Sequence, residues 1–179
     1  MVSLTSKIVM CGDYAVGKTT FVKLFLGGGV ENEYKATIGV DIGRKVFNIN
    51  EHKLTFQVWD LSGQQSFKLI RRQFYNRTDG AILIYDVSRR KTYENMVNWK
   101  EEMLQQTGKI PTVLIANKID LRETTNDFVN TQEGENLSKI ISEETGIKTP
   151  YFEASAINRI NNLEPFIALG RSILSKFDN

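Results

Sequence analysis

The 179 residues, 41% of them apolar and 25% charged, suit one domain able to close a single core, and they exclude disordered, collagen-like and coiled-coil chains. A formal charge of +2 gives no reason to expect nucleic acid or an anionic membrane surface as a partner. A single cysteine, Cys11, and a single histidine, His52, exclude a disulfide framework and a cysteine- or histidine-rich metal centre, and they fit a reducing, cytoplasmic setting.

The first ten residues, MVSLTSKIVM, have neither the apolar core nor the cleavage site of a signal peptide, and no glycine follows Met1 for myristoylation. No later run is long enough to span a bilayer. Short apolar runs then alternate with longer periodic stretches. Strands are predicted at 7–11 (KIVMC), 44–49 (RKVFNI), 54–60 (LTFQVWD), 80–87 (GAILIYDV), 112–117 (TVLIAN) and 151–155 (YFEAS). Helices are predicted at 18–26, 68–76, 91–107, 131–144 and 161–176. IVMC, AILIY and TVLIA are continuously apolar, as strands covered on both faces of a parallel sheet must be. LTFQVW alternates and follows RKVFNI across the polar NEHK, so these two should form an antiparallel hairpin at one edge. The expected fold is α/β: about six strands, mostly parallel with one antiparallel edge strand, and helices on both faces, in a single domain over 1–179. GGG at 27–29 and LRETTND at 121–127 read as loops inside that domain.

Such a sheet binds ligands beyond the carboxyl ends of its strands, and the chemistry-bearing motifs fall there. GDYAVGKTT at 12–20 follows an apolar strand and precedes a periodic helix, the context in which G-x-x-x-x-G-K-[ST] cradles phosphates with backbone N–H groups and a helix N-terminus. Lys18 would reach the outer phosphates and the Thr19 hydroxyl would ligate magnesium; the plain alternative is a glycine turn. In NKID at 117–120, the Asp120 carboxylate can accept two N–H bonds from guanine, a pattern adenine does not offer. By itself this tetrapeptide would be a polar turn after a strand, and its pairing with the phosphate loop favours the base site. In WDLSGQ at 59–64, Asp60 can hold magnesium through water, Gly63 lets a backbone N–H approach the terminal phosphate, and Gln64 can orient a hydrolytic water. Its alternative is a strand followed by a glycine turn.

Taken in order with YKATIGVDI, YDVS, NKIDL and EASA, these motifs resemble the Ras superfamily of small GTPases, most closely its Rab branch, over nearly the whole chain. The resemblance implies the P-loop small G-protein fold, with GTP or GDP and Mg2+ as ligands. It implies nucleotide contacts from Asp13, Tyr14, Ala15, Val16, Gly17, Lys18, Thr19 and Thr20, from Gly63, and from Asn117, Lys118 and Asp120. The Lys118 stem would cover one face of the base, and backbone N–H groups at Ser155 and Ala156, beside Ile157, would contact the guanine carbonyl. Thr37 would be the switch threonine, completing the magnesium set with Thr19 and Asp60, and Tyr34 would close over the nucleotide. Gln64 would be catalytic. Segments 30–42 and 61–76 would be the two switches that meet effectors and regulators.

Departures from the family pattern matter too. Val30 stands where an aromatic covers the second face of guanine, and Ile157 stands where Rab proteins carry lysine or leucine. Tyr14 stands beside the terminal phosphate where glycine or serine is usual. Its side chain either crowds the attacking water, Gln64 and an incoming arginine finger, or turns outward to solvent. The Rab aromatic triad corresponds to Ile42, Trp59 and Phe74, each open to either packing or partner contact, with Trp59 the better partner candidate. The 179 residues end LSKFDN with no cysteine, so they encode no lipid anchor: either a lipidated tail lies beyond them or the protein does not anchor as Rab proteins do, and a monomer that reaches membranes through partners is expected. Two functions stay open: a GTP-hydrolysing switch, plausible in vesicle traffic, and a guanine-nucleotide-binding interaction module with negligible turnover. An ATP-using P-loop kinase is disfavoured by NKID.

Overall fold

The computed structural model describes residues 3–27, 39–64 and 67–177 in full and residues 33–37 by their backbone. Seven strands form one sheet: β1 (Ser3–Cys11), β2 (Glu33–Thr37), β3 (Val40–Ile49), β4 (His52–Leu61), β5 (Gly80–Asp86), β6 (Thr112–Asn117) and β7 (Tyr151–Ala154). Their order is β2-β3-β4-β1-β5-β6-β7. Among the pairings of these seven strands in the described residues, β2·β3 and β3·β4 are antiparallel and the rest parallel, so β3 runs against all the others. The α/β fold with a mostly parallel sheet and one antiparallel strand is therefore present. The edge position belongs not to the predicted hairpin but to the short strand β2, for which the apolar patterning predicts no strand.

The hairpin behaves as its pattern requires. Ile49 pairs with His52 across Asn50 and Glu51, and Asn50 adopts φ +53°, a left-handed conformation asparagine tolerates well. Every residue of β5 and of β6 is buried, which is why their runs are unbroken by polar side chains. Successive residues feed two cores. Ile8, Met10, Ile82, Ile84, Val113 and Ile115 join α1 (Lys18–Leu26) and α6 (Glu164–Leu174) on one face. Val9, Cys11, Leu83, Leu114 and Ala116 join α4 (Met96–Thr107) and α5 (Thr131–Thr145) on the other, with α2 (Lys68–Phe74) and α3 (Arg90–Glu94) beside them. Phe25 stacks on Phe166 at 3.7 Å between ring centroids and Phe21 on the same ring at 5.9 Å, packing α1, which the phosphate loop leads into, against α6.

Three of the predicted helices differ from the periodic reading by more than one residue. The stretch 91–107 divides into α3 and α4 at Asn95, whose side-chain amide is drawn to Asp13. Helix α2 stops at Phe74, shortly before Arg77 at φ +57°. Helix α6 starts only at Glu164, because Arg159 and Asn161 have φ of +56° and +52° and Ser155 bridges to Ile160, while Pro165 suits a first turn.

Candidate nucleotide site

The carboxyl ends of β1, β4 and β6 open onto a cleft of about 600 Å³. Lys18, Thr19, Asp60, Gly63, Gln64 and Lys118 all line it. The phosphate loop turns from β1 into α1 through Gly17 at φ +100°, where a Cβ would sit 2.4 Å from the Asn117 amide nitrogen. Lys18 is buried and folds back, its ammonium donating to the Gly12 carbonyl at 2.7 Å and the Asp13 carbonyl at 2.8 Å. Burial pushes Lys18 down to about 8 against the pull of Asp60. The Thr19 hydroxyl donates to Asp60 Oδ2, while Asp60 Oδ1 is buried with no partner among the described residues. Burial raises Asp60, opposed by Thr19 and Lys18. A buried carboxylate oxygen without a donor beside a hydroxyl is a hard-oxygen pair suited to magnesium.

Gly63 meets the phosphate loop directly. A Cβ there would lie 2.4 Å from the Asp13 carbonyl carbon and 2.4 Å from the Tyr14 nitrogen, so only glycine lets the two backbones approach this closely. Gln64 is exposed, and its carbonyl accepts from Arg71 NH1 at 2.7 Å. Tyr14 lines the cleft yet is 65% exposed, so its ring stands at the mouth and does not fill the interior. Ala15 and Thr20 also line the cleft and are exposed. The Val16 side chain is core; its carbonyl accepts from Asn117 Nδ2 at 2.8 Å. The Asp13 carboxylate is held from α3–α4, accepting from Asn95 Nδ2 and Trp99 Nε1, each at 2.7 Å.

At the base end, Lys118 adopts φ +64° and donates to the Ala15 carbonyl at 2.8 Å. Asp120 Oδ1 accepts from the buried Ser155 hydroxyl. The Ser155 N–H goes to the Ile160 carbonyl at 3.3 Å, so of the two backbone N–H groups expected to meet a base that of Ser155 is already engaged, and Ile157 is 81% exposed. Val30 lies outside the described residues, as do the side chains of Tyr34 and Thr37, whose backbone is in β2. Trp59 is half-buried rather than openly displayed: its ring lies 5.8 Å from that of Phe74, the Lys7 ammonium sits 3.9 Å from its centroid, and Ile42 is its cross-strand neighbour.

Residues with no role in the sequence reading hold this site together. Fully buried Asp86 receives the Lys118 ammonium at 2.7 Å, Arg89 Nε at 3.0 Å and the Ser88 hydroxyl at 2.7 Å. Burial alone would raise Asp86, but these donors hold it below the usual carboxylate range. Arg71, also buried, pairs with Glu102, stacks on Trp99 at 4.3 Å and donates to the Ser62 carbonyl at 2.9 Å. Asp86 had a legible signal, since a carboxylate closing a wholly apolar strand must find donors. The other residues had none.

The Ras family model matches residues 7–175, nearly the whole chain. With its phosphate loop, acidic strand end and base loop gathered on one cleft, the chain belongs to the Ras family of small GTP-binding switches.

Proposed function

We propose that this protein is a Rab-like guanine-nucleotide switch that holds GTP or GDP with magnesium, hydrolyses GTP slowly and changes the conformation of segments 30–42 and 61–76 to select partners, plausibly from the cytoplasm in membrane traffic. The observation that carries this reading is the convergence of Lys18, Thr19, Asp60, Gly63, Gln64 and Lys118 on one cleft from three separate strand ends. Lys18 would hold the outer phosphates, and the loop amides of residues 15 to 17 would supply further donors. Thr19 and Asp60 would hold magnesium, joined by Thr37; bound there, the ion neutralises phosphate charge. Gln64 would orient the attacking water, and Asp120 would read the base.

The slow rate rests on Tyr14, whose backbone nitrogen lies against Gly63 and whose exposed ring belongs to the lining of the cleft. The same observation favours the second reading, an interaction module that binds nucleotide and turns over negligibly. Denaturing the purified protein and identifying the released nucleotide by chromatography, then following one turnover of stoichiometric GTP with magnesium, tests both. Released guanine nucleotide with slow conversion of GTP to GDP is expected. Adenine nucleotide would refute the switch, and bound GTP that never converts would select the second reading.

A further inference from the structure

Three consecutive carbonyls of the phosphate loop are each held by a side chain from another element. Arg89 NH2 donates to the Tyr14 carbonyl at 3.0 Å, Lys118 Nζ to the Ala15 carbonyl at 2.8 Å, and Asn117 Nδ2 to the Val16 carbonyl at 2.8 Å. The described residues contain no cis peptide, and a planar trans peptide carries its N–H opposite its C=O. Drawing the three carbonyls outward therefore aims the N–H groups of Ala15, Val16 and Gly17 the other way, into the cleft. The outward pull is needed because Ala15 sits at φ +60°, a conformation disfavoured for a residue with a Cβ and maintained only by its surroundings.

Two of these three donors share one anchor. Asp86 Oδ2 binds both Lys118 Nζ at 2.7 Å and Arg89 Nε at 3.0 Å, and Asp86 Oδ1 is occupied by Ser88. The guanidinium of Arg89 thus spans from a fully buried carboxylate at the end of β5 to the Tyr14 carbonyl of the loop, presenting two of its donors in a fixed fork. Lysine, a single point charge, cannot bridge the two acceptors in the same way.

We propose that Arg89, anchored by Asp86, is a positioning residue of the nucleotide site: it fixes the peptide between Tyr14 and Ala15 so that the Ala15 N–H addresses the phosphates. It touches no substrate atom itself and acts through the loop. The inference rests on the guanine-nucleotide reading above. Arg89 is exposed enough that its removal should leave the core intact.

The test compares the parent protein with Arg89→Ala and Arg89→Lys, each loaded with GDP and magnesium, by release of a fluorescent GDP and by the phosphorus-31 spectrum of bound GDP. In Arg89→Ala, release should quicken by roughly three- to tenfold, as loss of one charge-assisted bond to the loop requires. The β-phosphorus resonance should also move, and Arg89→Lys should fall between. A β-phosphorus resonance in Arg89→Ala unmoved from the parent would overturn the proposal whatever the release rate, because a general loosening of the fold quickens release without turning one peptide. A parent protein that fails to retain GDP would overturn the nucleotide reading and this inference with it, and that outcome is distinct because it appears before any substitution.

Discussion

In the proposed reading, Asp120 would concentrate base selectivity in one carboxylate, whose Oδ1 accepts from the Ser155 hydroxyl. Replacing it by asparagine keeps the shape and exchanges one acceptor for a donor, leaving a guanine N–H facing an N–H. Asp120→Asn is expected to lose GTP affinity by about a hundredfold or more and to favour xanthine nucleotide, whose exocyclic oxygen needs that donor. Competition against fluorescent GDP measures this, and unchanged GTP affinity would contradict the assigned role. Tyr14 poses the opposite case, a side chain that contributes bulk and no charge. Because the loop would meet phosphate through backbone amides in the proposed reading, Tyr14→Gly should leave nucleotide affinity close to that of the parent while single-turnover GTP hydrolysis accelerates several-fold. Equal rates at equal affinity would mean that the 65% exposed ring stays clear of the reaction.

Between elements, the most consequential contact joins α2 to α4. Arg71 Nε and NH2 meet the Glu102 carboxylate at 3.0 and 3.2 Å, and Tyr75 donates to the same carboxylate at 3.1 Å. Arg71 NH1 then holds the Ser62 and Gln64 carbonyls on either side of Gly63. Glu102→Ala would strand a buried guanidinium and should destabilise the fold by about 3–5 kcal/mol in urea denaturation. A double change, Arg71→Met with Glu102→Leu, should recover most of that loss, since a well-packed apolar pair can replace a buried ion pair. Hydrolysis should not recover with it, because the double change removes the Arg71 donor from the carbonyls flanking Gly63. A double variant as unstable as Glu102→Ala would show that the cost lies in packing rather than in the stranded charge. The indole of Trp99, between Arg71 and Asp13, carries this brace on to the phosphate loop.

For the molecule as a whole, ligand and fold are linked, because Lys18 and Asp60 are buried charges whose phosphate and metal partners would relieve them. Nucleotide with magnesium at a hundred times its Kd should add about 2.7 kcal/mol to unfolding, and stripping it with a chelator should lower Tm correspondingly in a thermal melt. No change in Tm between loaded and stripped protein would contradict that linkage. How much of this was legible beforehand follows from the range over which each feature is encoded. The limits of α1 and β6 coincide with those read from the sequence, and the three motifs end β1, β4 and β6 as expected, because strand period, glycine turns and helix starts are written within a few consecutive residues. Strand β2 was missed since five residues make a strand only beside a partner such as β3. The braces around the site were missed for a related reason: Arg71 and Glu102 are 31 residues apart, Arg89 and Tyr14 are 75 apart, and Asn95 and Asp13 are 82 apart. The sequence by itself determined the order of strands along the chain and which residue types reach the cleft. Only the tertiary structure decided which buried charges answer one another, because such pairing depends on distance in space and leaves no period along the chain.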